Sequence, residues 1–283
     1  MGRADLHAHT TASDGTYSPR ELVRAARERG LAAVGVCDHD TTLGVPEALA
    51  EGEKQGVIVV PGVELSCEER AFEVHILGYF VDINSPALQS TLRNLRRQRV
   101  SRIRRILAKL ERLGIRIGFD EVMKKAEHGA VGRPHVAAVL HERGYGESQR
   151  DSFRKYLSKG GPAYVPRRRL SPEEAVTLIR TAGGVPVFAH PGIVGLDELI
   201  EQLAARGLRG VEVWHSDHTP EMAEKYQALA DRLGLLATGG SDSHGPGSSR
   251  AYELGSVTVP VEVVDALREE AARIRRASAR EVG

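Results

Sequence analysis

Short apolar runs in this chain end, one after another, in histidine or a carboxylate, and a fold must gather those ends to accommodate them. The ends are Asp5-Leu-His7-Ala-His9, Asp14 just downstream, Asp38-His39, Glu64, His75, His190 and Ser241-Asp242-Ser-His244. Imidazoles and carboxylates with no cysteine among them suit a cluster of divalent ions of hard or borderline character. A metal-dependent hydrolase is therefore the leading expectation.

Strand-like and helix-like stretches alternate around these ends. Strands are expected near residues 4–7, 34–39, 57–64, 73–80, 185–190, 210–215 and 235–242, with helices near 19–29, 45–55, 172–181, 196–206 and 220–233. Ser18 reads as an N-cap, Pro19 as the first helical position and Gly30 as the stop. Such alternation predicts a parallel sheet with crossover helices. Polar residues at the C-terminal ends of successive strands are what a barrel active site requires. An open doubly wound sheet is the alternative, but so many ligands converge more easily in a closed or nearly closed ring.

Residues 86–165 break the alternation. They are almost entirely helix-like, with divisions near 114–118, 129–134 and 144–146. The expected organisation is barrel (1–85), helical insertion capping the active site (86–165) and barrel again (166–283), ending in a charged helix that frays. With 283 residues and a formal net charge of +1, a general polyanion-binding surface is disfavoured, though a local basic pocket is not. Cys37 and Cys67 are too few for a disulfide framework, and no apolar stretch approaches about 18 residues. A cytoplasmic protein with no membrane association and no obligate protein partner is expected.

On an extended segment residues two apart face the same side, so His7 and His9 can both address one ion. Glu64 closes an apolar strand where an unpaired charge would be costly. Gly239-Gly240 permits close backbone approach before Asp242. Asp38 and Asp40 flank His39 and either orient its ring or act as strand-end and N-cap residues. Ser13, Ser66 and Cys67 read as supporting or packing residues. His128, His141, His215 and His218 read as structural or peripheral, and Arg167-Arg-Arg169 as a solvated rim.

Taken together, Asp-Leu-His-Ala-His-Thr (5–10), Ser-Asp-Gly-Thr (13–16), Asp-His-Asp (38–40), Gly-Val-Glu (62–64), the His75 strand, Ala-His-Pro (189–191) and Ser-Asp-Ser-His-Gly (241–245) resemble the polymerase and histidinol phosphatase (PHP) family. The resemblance implies a distorted (β/α)7 barrel with three divalent ions, commonly Mn2+ and sometimes Zn2+ or Fe2+. It implies that His7, His9, Glu64 and Asp242 hold one ion, that Glu64, His75 and His190 hold a second, and that Asp14, His39 and His244 hold a third. Closely spaced ions lower the pKa of a bridging water and neutralise phosphoryl charge, so a metal-bound hydroxide replaces any protein nucleophile.

Substrate contacts are expected in the insertion. Leu92, Leu95, Ile103, Ile106 and Leu110 form one helical stripe that contains Arg99 and borders Arg102, whereas Arg93, Arg97 and Arg104 fall on the solvated side. An inward guanidinium needs an anion, either a phosphate or a nearby carboxylate. Gly132-Arg133-Pro-His135 opens a helix, where Arg133 and His135 either contact a phosphate or simply start the helix. With these motifs the chain is similar to the nucleoside 3',5'-bisphosphate phosphatases of the family, a branch that also trims RNA from a 5'-monophosphate end. The implied substrate is a small nucleotide or short RNA. The alternatives are a histidinol-phosphate phosphatase, a polymerase proofreading module or a non-catalytic metal-binding regulatory domain.

Overall fold

The structure, a computed structural model, describes residues 2–70, 72–126, 131–166, 169–248 and 252–282. His128, Arg167 and Arg168 lie outside the described residues. In chain order the elements are β1 (Arg3–Ala8), α1 (Pro19–Glu28), β2 (Ala33–Val36), α2 (Val45–Gln55), β3 (Ile58–Glu69), β4 (Phe72–Tyr79), α3 (Pro86–Arg112), α4 (Phe119–Ala126), α5 (Arg133–Glu142) and α6 (Gln149–Ser152), which runs into a π-helical turn. There follow α7 (Pro172–Thr181), β5 (Val185–Phe188), α8 (Pro191–Val194), α9 (Asp197–Ala205), β6 (Gly210–His215), α10 (Pro220–Leu233), β7 (Leu236–Gly240), β8 (Val259–Pro260) and α11 (Glu262–Val282). Local chemistry sets several boundaries. Ser18 and Glu21 form a reciprocal capping box at α1, and Ser171 with Glu174 repeats it at α7.

The chain divides into two compact units, residues 1–90 with 169–283, and residues 91–168. In the first, one sheet runs in the order β7-β6-β5-β4-β3-β2-β1-β8. Beyond the end of β7, Ser243 makes a parallel bridge to Ala8 of β1, and His9 N–H donates to the Ser243 carbonyl at 2.9 Å. That bridge nearly closes the ring, giving a distorted (β/α)7 barrel. Its interior is filled by Leu6, Val60, Leu77, Tyr79, Val185 and Val187, with Leu267 and Ile274 of α11 packed into the same core.

One strand departs from the expected parallel arrangement. β4 is antiparallel to both β3 and β5. The reason is covalent: β3 continues to Glu69 and β4 begins at Phe72, and two residues cannot make the crossover that a parallel pair needs. This reversal also positions the site. His75 lies near the start of β4, and running backwards places that start beside the C-terminal ends of the neighbouring strands, where Ser66 pairs with His75.

The second unit has its own core, built from Ile103, Ile106, Leu110, Val122, Val136, Leu140 and Leu157. The stripe of Leu92, Leu95, Ile103, Ile106 and Leu110 is buried along α3, as its spacing predicts.

Candidate metal centre

Three groups of imidazoles and carboxylates stand at the C-terminal end of the barrel strands. In each, the donor atoms lie within 4.8 Å of one another. The first joins His7, His9, Glu64 and Asp242, with His9 Nε2 3.0 Å from Asp242 Oδ1 and 3.3 Å from Glu64 Oε2. The second joins His39, Glu64 and His75, with His39 Nδ1 2.8 Å from Glu64 Oε2 and His75 Nδ1 2.7 Å from Glu64 Oε1. His190 Nε2 approaches the same Oε1 to 3.1 Å and His75 Nδ1 to 3.3 Å. The third joins His9, Asp14, His39 and His244, with His244 Nε2 3.4 Å from Asp14 Oδ1. All nine residues singled out in the sequence are therefore gathered, and His9, His39 and Glu64 each belong to two groups.

The donor set fits divalent ions on a further observation. His39 Nδ1 and Glu64 Oε2 face each other at 2.8 Å and are buried, yet neither atom has a hydrogen-bond partner. His7 Nε2 and His9 Nε2 meet at 3.2 Å, a contact in which at most one ring nitrogen carries a proton. Lone pairs that converge without hydrogens between them are what a shared cation requires.

The electrostatics agree. Burial raises the Glu64 carboxyl, but His39, His75 and His7 more than offset it and hold it well below the usual carboxylate range. Burial lowers the His75 imidazole, yet Glu64 and Glu73 push it up to about 10. His9 falls to about 3, through burial and then the neighbouring His244. Three site residues, Asp40, His190 and Asp242, also have positive φ (53°, 31° and 54°), strained backbone of the kind that surrounding contacts must impose.

Those contacts include residues that sequence reasoning missed. Glu212 is fully buried in β6. Its Oε1 takes the His7 Nδ1 hydrogen at 2.9 Å and its Oε2 accepts from His190 N–H at 2.8 Å. One carboxylate thus fixes the His7 tautomer, aiming Nε2 at the first group, and holds the strained His190 backbone. The only sequence signal was a charge inside the otherwise apolar run Gly210-Val-Glu-Val-Trp. Glu212→Gln keeps the volume but offers one acceptor instead of two, so a loss of about 10- to 100-fold in metal affinity is expected. An activity titration with Mn2+ checks this, and an unshifted half-saturation point would contradict it.

Asp5 carries no donor to the groups; it accepts from Ser241 N–H (2.9 Å), Ser241 hydroxyl (2.6 Å), Gly255 N–H (2.8 Å) and His7 N–H (3.3 Å). Asp38 accepts from Thr10 N–H and both the Thr10 and Ser13 hydroxyls, anchoring the loop that presents Asp14. Asp40 accepts from the Ser66 N–H and hydroxyl. His215 is not peripheral: it is buried, with Nε2 3.6 Å from Asp242 Oδ2. Arg169 is not a solvated rim residue either. Its side chain is 9% exposed, and it pairs at 2.7 Å with Glu73, whose other oxygen lies 3.4 Å from His75 Nε2. The buried guanidinium supplies the reason: its charge needs a counter-charge, and the partly exposed Glu73 provides it.

The expected substrate residues all fall in the second unit. Arg102 Nε donates to the Val165 carbonyl at 2.8 Å and Arg133 Nη1 to the Leu157 carbonyl at 3.0 Å. Both guanidinium groups lie over the Tyr164 ring, 5.9 and 5.7 Å from its centre. Backbone carbonyls and a ring therefore share the inward arginines. Arg99 comes near Gly132, since a Cβ there would stand 3.8 Å from its Nη1. His135 Nδ1 accepts from Gly132 N–H at 3.0 Å, closing the first turn of α5.

Comparison with known proteins accords with this geometry. Residues 5–159 match the PHP domain family. The 3',5'-nucleoside bisphosphate phosphatase of Chromobacterium violaceum is 38% identical over 87% of this chain and 89% of its own length. The 5'-3' exoribonuclease Rnm of Salmonella typhimurium is 36% identical over 86% and 85%. Among solved structures, a protein from Bifidobacterium adolescentis assigned as a metal-dependent phosphoesterase superposes with a TM-score of 0.85 at 34% identity, covering 94% of this chain and 96% of its own.

Proposed function

This chain belongs to the PHP family, and from that premise we propose a metal-dependent phosphoesterase that hydrolyses the 3'-phosphate of nucleoside 3',5'-bisphosphates and trims short 5'-phosphorylated RNA from its 5' end. The two reactions are one step on two substrates. Water adds to the phosphorus on the 3' oxygen, the P–O3' bond breaks and the 3' oxygen leaves as a hydroxyl. The products are a 5'-nucleotide with either inorganic phosphate or the shortened, 5'-phosphorylated RNA. The observation that carries the reading is Glu64, a fully buried carboxylate with imidazoles at both oxygens, which ties two donor groups together.

Three ions are assigned: one to His7, His9, Glu64 and Asp242, one to Glu64, His75 and His190, and one to Asp14, His39 and His244, with Mn2+ as the preferred metal. Bound divalent ions supply acidified water and charge neutralisation on the phosphoryl oxygens. The protein's own share is positioning. Glu212 fixes His7, Asp38 holds the Asp14 loop, and Glu73 with Arg169 orients His75. Arg99, Arg102, Arg133 and His135 are assigned to the phosphate that is not cleaved. Both cysteines are free and buried, which suits the reducing cytoplasm; among the described residues no helix is long and apolar enough to cross a membrane.

Phosphate release from 3',5'-bisphosphoadenosine and from histidinol phosphate, and 5'-nucleotide release from a 5'-phosphorylated oligoribonucleotide, test the reading. Preference for histidinol phosphate would overturn it. Dialysis against a chelator is expected to reduce release to background and Mn2+ to restore it. The ion should also raise the melting temperature, because a ligand at about 100 times its Kd adds about 2.7 kcal/mol. Full activity after exhaustive chelation would contradict the assignment.

A further inference from the structure

The proposed reaction does not use the outer face of α3. That helix carries eight arginines and Lys109 against a single carboxylate, Glu111, in a chain whose formal net charge is only +1. Arg93, Arg97 and Arg104 recur at intervals of four and seven, which places them within about 40° of one another around the helix. All three are exposed, and none forms an ion pair among the described residues. With Arg96, Val100 and Ser101 they line a groove of about 420 Å³ in the second unit. Arg104 is held in place by the Phe119 ring, 4.9 Å beneath its guanidinium. Like charges at such spacing destabilise a helix. The crowding is visible at Arg96, whose pKa is lowered by partial burial and by Arg93.

We propose that this groove of the second unit binds the sugar–phosphate backbone of single-stranded RNA. From Arg93 to Arg104 the groove runs roughly 16 Å, enough for about three to five backbone phosphates. Guanidinium forks match phosphate oxygens and carry no base preference, so the groove would hold RNA by its backbone. An anionic membrane surface is the competing occupant of a basic helix, but that mode needs large apolar side chains beside the charges. Among the described residues, the exposed large hydrophobics are Leu43, Ile58, Phe72, Leu113 and Ile193, none of them in the groove.

The inference rests on the RNA-trimming part of the proposed function, and its test separates the two. Binding of a 3'-labelled, 5'-phosphorylated 12-mer and trimer is followed by fluorescence anisotropy with a chelator present, which stops cleavage. R93E/R97E is compared with R105E/R112E, which changes the charge equally on a face centred about 90° round the same helix. The wild-type chain should bind the 12-mer more tightly than the trimer. R93E/R97E should lose that advantage by tenfold or more and flatten the salt dependence by about 1.4 in log–log slope. R105E/R112E should retain both. Matching melting temperatures confirm folding, and R93Q/R97Q provides a milder variant if charge reversal unfolds the unit. Equal loss in both pairs, no length preference in the wild type, or binding of phosphatidylserine vesicles in place of RNA would each overturn the proposal. Hydrolysis of 3',5'-bisphosphoadenosine, measured alongside with Mn2+, should be unchanged in R93E/R97E. Failure of the wild type to hydrolyse it would count against the phosphatase reading and not against the groove.

Discussion

Glu64→Gln is expected to lower turnover of 3',5'-bisphosphoadenosine by at least about 10³-fold, equivalent to ~4 kcal/mol of transition-state stabilisation. The substitution removes one charge and turns one oxygen into an N–H2 donor at nearly constant volume. Both oxygens are committed: Oε1 lies 2.7 Å from His75 and 3.1 Å from His190, and Oε2 lies 2.8 Å from His39, 3.3 Å from His9 and 3.5 Å from His7. Whichever way the amide turns, it aims hydrogens at imidazole nitrogens that should present lone pairs to an ion. Two donor groups fail together, so the loss should exceed that of a ligand belonging to one group only. Metal content measured on the purified variant should fall with activity, while circular dichroism shows an intact fold. Turnover within tenfold of the wild type at saturating Mn2+ would refute the role given to Glu64.

Asp5→Ala should act on stability. Truncation leaves the Ser241 N–H and hydroxyl, the Gly255 N–H and the His7 N–H facing a site with no acceptor. Each stranded buried donor costs about 1–3 kcal/mol, and entry of water recovers part, so a net loss of about 3–5 kcal/mol is expected. For a protein of this size that lowers the melting temperature on the order of 10 °C. Gly240 leaves no room for compensation nearby, because a Cβ there would stand 2.4 Å from His7 N and 2.9 Å from Asp5 Oδ1. Thermal denaturation of the metal-free protein isolates this effect from ion binding. A melting temperature within 2 °C of the wild type would show that Asp5 is dispensable to the barrel.

Most of the candidate ligands were legible because they stand at or just after an apolar run, where a charge needs a partner. Asp14, in the loop after β1, and His75, near the start of β4, were legible from their motifs instead. Glu212 was not, since it sits inside a strand and its partner ring is 205 residues away. Strand existence could be read from apolar runs, but β4's direction could not, because alternation has no polarity; the two-residue connection to β3 held that information. Helical spacing likewise showed which arginines of α3 turn inward without showing what receives them. Arg102 found a carbonyl and a tyrosine ring, where charge reasoning alone asked for an anion.

The bridge between Ala8 and Ser243 has a consequence in time. The Ser241–Asp5 contact beside it spans 236 positions of sequence, and the donor group of His7, His9 and Glu64 is completed only by Asp242. Asp242 is synthesised about 180 residues after Glu64, a delay of roughly 9–36 s at ordinary elongation rates. Contacts so distant in sequence form late, after the intervening loop has been closed. The nascent chain therefore carries its first histidines and Glu64 for many seconds without the geometry to select an ion. The donor geometry is complete only in the nearly closed ring, once the segment after β7 has docked beside β1.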